Sequence, residues 1–175
     1  MKKSIIFSLL ASTFLMAENS TVLDESFKLE PSLAVLGGVV KSDNAYAHAE
    51  IFYGLEYGFN CLVSDTVRQQ LQITNYKDKN LKMTQINLNP HYMINVNSNM
   101  QLGFGPTFGL ARVDNSQDKD TIFTYGAGGS LIQNLNEILF VGAEAKYEWS
   151  EDASLAGVND NFNNVKVLLK AGYRF

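Results

Sequence analysis

Cysteine is nearly absent. Cys61 stands alone among 175 residues, so no disulfide within the chain can staple the fold. Histidine is almost as scarce, with His48 and His91 the two present, and the convergent His and Cys donors of a metal centre are therefore lacking. Positive charge is also in short supply. Lys and Arg total 14 against 18 Asp and Glu, a net charge of −4, which argues against nucleic-acid binding through clustered cations. Long apolar runs are missing after residue 17, where no stretch reaches the roughly 20 residues that a spanning helix needs. Proline is limited to Pro31, Pro90 and Pro106, and tryptophan to Trp149.

What is present begins with an export leader. Lys2 and Lys3 form a positive start, Ile5 to Met16 is apolar apart from Ser8, Ser12 and Thr13, and Ala17 is a small residue suited to the position before cleavage. The expected domains are a signal peptide over 1–17, a short periplasmic segment over 18–30 and a barrel over 31–175. Removing the two leader lysines leaves 14 − 2 = 12 basic against 18 acidic side chains, a balance of −6.

The rest of the chain alternates with period two, the signature of strands with one apolar and one polar face. In the last strand Val165, Val167, Leu169, Ala171, Tyr173 and Phe175 share one face; Lys166, Leu168, Lys170, Gly172 and Arg174 share the other. Seven earlier strands are predicted at about 31–41, 46–59, 66–76, 82–96, 100–113, 121–133 and 138–149. The first alternates poorly, because Gly37, Gly38, Val39 and Val40 suit either face. Asn60 to Asp65, Asn97 to Asn99 and Asn134 to Glu137 read as short turns, whereas Asp114 to Asp120 and Ser150 to Asn164 read as longer loops. Short and long connections alternate, so the longer ones gather at one end.

About eight strands of roughly ten residues, apolar on one face and polar on the other, resemble the small outer-membrane barrels of the OmpA and OmpX type. The resemblance covers the leader and nearly all of the mature chain. It implies an all-β, closed, antiparallel eight-stranded transmembrane barrel in the bacterial outer membrane, with short periplasmic turns and outer loops. The terminal Phe175 with Tyr173 two residues earlier looks like the signal read by the outer-membrane assembly machinery. With the barrel running to Phe175, no peptidoglycan-binding domain is expected after it. A soluble sandwich, or a lipocalin-like barrel with its apolar face turned inward, is the structural alternative.

The inward face carries the charges. A fourth loop centred on Gly157 sets Glu148 opposite Lys166 and Glu144 opposite Lys170, and a turn centred on Leu62 sets Glu56 opposite Arg68. With Lys146 and Arg174 these form a candidate set of lumen ion pairs. Gly103, Gly105, Gly109, Gly126 and Gly128 leave the facing wall small, so the long charged side chains can fill the bore, which in an eight-stranded barrel is narrow enough to be plugged. Pro90 and Pro106 each remove a ladder donor, and a local bulge is expected at one or both. Aromatics at two heights suit interfacial girdles, with Tyr53, Tyr57, Tyr92, Phe104, Tyr173 and Phe175 toward the periplasm and Phe108, Phe123, Tyr125, Tyr147 and Trp149 toward the outside.

The leading functional reading is a non-enzymatic barrel with a plugged polar lumen, serving envelope integrity or surface interaction through its loops. The partners expected are outer-membrane lipid and the assembly machinery, with no nucleic acid and no cofactor, and the chain is expected to be a monomer. His48 and Glu50, with Ser42 and Asp43 nearby, admit a lipid-A- or phospholipid-modifying barrel enzyme as the alternative. A narrow porin-like channel is the other. His91 reads as a hydrogen-bonded lumen residue and Cys61 as an inert turn residue.

Overall fold

The computed structural model describes residues 29–43, 49–61, 64–77, 81–115, 118–155 and 158–175. Its strands are β1 (Ser32–Ser42), β2 (Glu50–Cys61), β3 (Ser64–Lys77), β4 (Leu81–Asn95), β5 (Met100–Asn115), β6 (Lys119–Asn134), β7 (Leu139–Ser150), β8 (Ala153–Leu155), β9 (Val158–Asp160) and β10 (Asn164–Arg174). Eight of them close a barrel in the order β1-β10-β7-β6-β5-β4-β3-β2, and β8 with β9 makes a separate two-stranded hairpin. Every pairing is antiparallel, including the β1–β10 seam that joins Ser32 to Arg174 and Ser42 to Asn164. The predicted leader, residues 18–28 and the start of the predicted second strand up to His48 lie outside the described residues.

Alternation decides which side chains enter the bore. In β10, Val165, Val167, Leu169 and Tyr173 are exposed outward, as is Phe175 just after it, while Lys166, Leu168 and Lys170 are buried inward. The ambiguous β1 resolves with Leu36 and Val40 inward and Val35 and Val39 outward. The outward surface is an apolar band; Ile51, Tyr53, Leu55, Ile86 and Leu169 are each at least half exposed.

The two ends differ less than the sequence suggests. At the turn end the strands are joined by residues 62–63, 96–99 and 135–138; at the loop end they are joined by 43–49, 78–80, 116–118 and 151–163. The predicted third loop over Asp114 to Asp120 is largely strand, because β5 runs to Asn115 and β6 resumes at Lys119. The asymmetry therefore rests on the first and fourth loops. The fourth folds back on the barrel: the Phe162 N–H donates to Ser150 Oγ at 2.7 Å, and the Asp43 N–H donates to the Asn163 carbonyl at 2.9 Å. Tyr53 lies near the loop end, three residues from the start of β2, and not at the turn end where its predicted girdle would put it.

The prolines cause no bulge. The β4–β5 ladder breaks between Leu88↔Phe108 and Tyr92↔Phe104 and then resumes in the same register, which sets Pro90 directly opposite Pro106. Two missing donors thus share one gap instead of opening two. Strand approach at that gap is close, since a Cβ on Gly105 would sit 2.0 Å from the Pro90 carbonyl oxygen. The bulge falls elsewhere, between Asn60 and Cys61.

The bore is layered. Toward the loop end Met83, Ala111, Val113, Ile122 and Ala153 form an apolar cluster with Phe162, and Leu36, Val40, Phe52 and Leu168 form another. Tyr76 packs against both and joins them into one layer across the mouth. Toward the turn end Ala34, Ile132, Phe140 and Met93 pack together, with the Arg174 guanidinium 5.3 Å above the Phe140 ring. Between these apolar layers lies the charge.

Candidate functional site

Six side chains in the middle of the bore alternate in sign. Glu56 meets Lys170 at 2.8 Å, Lys170 meets Glu144 at 3.1 Å, and Glu144 meets Lys146 at 3.7 Å. Lys146 then reaches Glu148 at 3.3 Å, and Glu148 reaches Lys166 at 2.5 Å. Three carboxylates and three ammonium groups sum to zero. All six residues are at most 5% exposed, so they are buried ions rather than a solvated rim.

Such burial is tolerable only when the remaining lone pairs and protons find partners. Amides from β3 and β4 supply them. Gln72 Nε2 donates to Glu56 Oε2 at 2.9 Å and to Glu144 Oε2 at 3.0 Å, while its Oε1 accepts from Lys146 Nζ at 2.9 Å. Lys170 donates a further bond to Gln70 Oε1 at 3.2 Å. Gln85 accepts from Lys166 and donates to Thr124 Oγ1 at 2.9 Å, and Asn87 donates to Glu148 Oε1. Parity alone puts these amides on the inward face without marking them as part of the site. The signal was available in the inward spacing of Gln70, Gln72, Gln85 and Asn87.

The glycine wall is where the sequence placed it. A Cβ on Gly109 would come 2.5 Å from Asn87 Oδ1, and one on Gly128 would come 2.7 Å from the Lys146 Cβ. Opposite Glu148, a Cβ on Gly126 would lie 2.0 Å from the Tyr147 carbonyl oxygen. Bare backbone on this wall makes room for the long polar side chains facing it.

The expected pairs need correction in register. Glu148 stands opposite Asn164, Lys166 opposite Lys146 and Lys170 opposite Gly142. The shift is two residues, which preserves the face, and the long lysines reach their carboxylates diagonally. The Glu56–Arg68 pairing does not form. The bulge at Asn60/Cys61 places Arg68 opposite Asn60 and Glu56 opposite Gln72. Glu56 takes Lys170 as its cation instead, and Arg68 Nη2 donates to Ser32 Oγ at 2.5 Å. Among the described residues Arg174 joins no lumen pair, and it lies half-buried over Phe140.

The remaining candidates are modest. His91 is buried and its Nδ1 lies 2.9 Å from Ser130 Oγ, as a hydrogen-bonded lumen residue should. Ser42 Oγ donates to the Asn163 carbonyl at 3.1 Å and Asp43 accepts from the Tyr147 hydroxyl, so neither is aimed at the other; His48 lies outside the described residues. Cys61 is a free, partly exposed thiol. Among the described residues no group of three or more His, Cys, Asp or Glu is placed to hold a metal ion. Tyr173 and Phe175 lie side by side on the outer wall, ring centroids 5.5 Å apart.

A closed eight-stranded antiparallel barrel with a polar bore and an apolar outer wall is the architecture of the small outer-membrane barrels, and this chain has that fold. Among solved structures it is similar to Neisserial surface protein A, with a TM-score of 0.62 and 16% identity over 83% of this chain and 95% of that one. Ail, the attachment invasion locus protein of Yersinia pestis, matches with a TM-score of 0.52 and 15% identity over 84% and 97%. A major outer membrane protein from Thermus thermophilus matches with a TM-score of 0.52 and 11% identity over 85% and 100%. At these identities the likeness is one of fold. No protein-family model matches the sequence, and no curated protein matches it.

Proposed function

We propose that the protein is a non-enzymatic integral barrel of the bacterial outer membrane, exported by its leader, which holds a sealed lumen and presents its loop end at the cell surface. Its role in this reading is envelope integrity or surface contact rather than transport. The observation that carries it is the neutral six-membered charge line, closed above and below by apolar layers. A pore needs mobile water along the bore, and here the groups that would line it are bonded to each other. The exposed apolar band supports a hydrocarbon environment, because soluble proteins rarely leave so continuous a patch open to water. Tyr173 and Phe175 serve in this reading as the signal for the assembly machinery.

The test is fractionation joined to electrophysiology. The mature protein is expected to partition with outer membranes, to require detergent and to give no steady conductance in planar bilayers. A water-soluble monomer would overturn the membrane assignment, and a large stable channel would overturn the sealed lumen.

A further inference from the structure

The buried charges of the barrel do not sum to zero. Among the described residues they are Glu56, Glu144 and Glu148 against Arg68, Lys146, Lys166 and Lys170, a balance of 4 − 3 = +1. The six-membered line accounts for all of them except Arg68. That residue is 8% exposed and forms no ion pair with a described residue. A buried ion without a counter-ion is strongly destabilising, so the position calls for an anion.

A second arginine shares the turn-end mouth. Arg68 Nη2 donates to Ser32 Oγ at 2.5 Å, and Ser32 stands directly opposite Arg174 in the β1–β10 ladder. Both arginines follow the inward parity of their strands, and Arg174, half-buried over Phe140, lies within electrostatic reach of Arg68. Gly58 permits the close approach, since a Cβ there would meet Ser32 Oγ at 2.7 Å and Arg68 Nη2 at 3.0 Å. Directly across the β3–β4 ladder from Arg68, His91 is buried and its Nε2 has no partner among the described residues. The described carboxylates near this end do not answer the charge. Glu56 is held by Lys170, and Glu30 and Glu137 are exposed, where water screens them.

We propose that the turn-end mouth binds one carboxylate, seated between the Arg68 and Arg174 guanidinium groups beside the Ser32 hydroxyl. A guanidinium presents its N–H groups as a planar fork that matches two carboxylate oxygens, whereas chloride offers a single centre. An excess of one buried positive charge suits a monoanion; a phosphate monoester, at about −1.5 to −2, would overshoot it. In the membrane reading above this end faces the periplasm, so the ligand is a small organic acid or the terminal carboxylate of a peptide there. The binding chemistry stands apart from that orientation. The site lies on the turn-end side of the charge line and leaves the line intact.

The experiment is a proton–nitrogen correlation spectrum of the arginine Nε–H groups in the full mature protein. The protein is held in nonionic detergent at mildly acidic pH, with sodium acetate replacing sodium chloride at fixed ionic strength. The chain has three arginines, and Arg112, exposed near the loop end, is the internal control. Arg68 and Arg174 should move along one saturating curve while Arg112 stays in place. R68K keeps the charge and loses the fork, so binding followed on Arg174 should weaken about tenfold. R174Q, followed on Arg68, should weaken it by a smaller factor. N-acetyl-dialanine separates the two sources: binding tighter than acetate assigns the site to a peptide terminus, and weaker binding assigns it to a free acid. An Arg68 curve that never saturates, an equal shift at Arg112, or an unchanged affinity in folded R68K overturns the proposal. If R68K does not fold, an unchanged affinity in R174Q overturns it instead. Saturable binding in E30Q/D65N but not in the unmodified protein would show that the chain supplies its own counter-ion, which also overturns it.

Discussion

Replacing Lys170 by methionine tests whether the lumen is held by its ions. The Lys170 ammonium is fully buried between Glu56 at 2.8 Å and Glu144 at 3.1 Å, and those carboxylates are 3% and 0% exposed. Without it, two buried anions share the Gln72 amide, and the cation left nearby is Lys146, 3.7 Å from Glu144. Removing one partner of a buried pair costs about 3–5 kcal/mol, and both carboxylates lie too deep for bulk solvent to screen them. With a urea slope of roughly 2 kcal/mol per molar, the unfolding midpoint should fall by about 1.5–2.5 M. Trp149, the sole tryptophan, reports the transition in lipid vesicles. The companion K170M/E56Q removes the pair at the end of the line and leaves Glu144, Lys146, Glu148 and Lys166 alternating. It should recover more than half of the loss. A K170M midpoint within 0.5 M of the unmodified protein (about 1 kcal/mol at that slope), or a double variant as unstable as the single one, would refute the ion-line account.

Gly126→Val drives a side chain into the Tyr147 carbonyl and the Glu148 backbone and should cost about 3 kcal/mol by the same titration, while Gly37→Ala, whose Cβ meets nothing within 4 Å, should be neutral. Deleting Phe175 should lower the amount of folded barrel in the membrane without altering the unfolding midpoint of the fraction that inserts, as judged by heat-shifted gel mobility. Phe162→Ser with Ala153→Ser loosens the apolar layer at the mouth, yet the variant should remain non-conducting in planar bilayers because the charge line still fills the bore. Trp149 is 42% exposed on the outward wall, so brominated acyl chains should quench its fluorescence more than aqueous acrylamide does.

Parity was legible from the residues, and with it the strand count, the apolar wall and the polar bore. A strand's side chains alternate whatever its partners do, so local sequence is enough. Register was not, because it depends on how each connection is built. One bulge at Asn60/Cys61 separated Glu56 from Arg68, and the β8–β9 hairpin in the fourth loop moved Glu148 from Lys166 to Asn164. Ion pairing within the Glu144–Lys170 and Glu148–Lys166 pairs survived since lysine spans the diagonal. The apolar layers escape a strand-by-strand reading for a different reason. Phe52, Leu168 and Ile132 occupy inward positions, and hydrophobic residues on a nominally polar face acquire meaning only when neighbouring strands bring them together. Taken one at a time the prolines predict separate defects, and only the pairing of β4 with β5 shows that they share a gap.

The charge line also ties the two ends of the chain to each other. Its members come from β2, β7 and β10, and Glu56 lies 114 residues from the lysine that neutralises it. Within the line itself and without β10, Glu56, Glu144 and Glu148 have Lys146 as their cation, a balance of 1 − 3 = −2. Each uncompensated buried ion costs several kcal/mol in a low-dielectric setting. β10 delivers Lys166 and Lys170 together and restores electroneutrality in one step. The strand that closes the cylinder is thus also the one that neutralises the charge line in its bore.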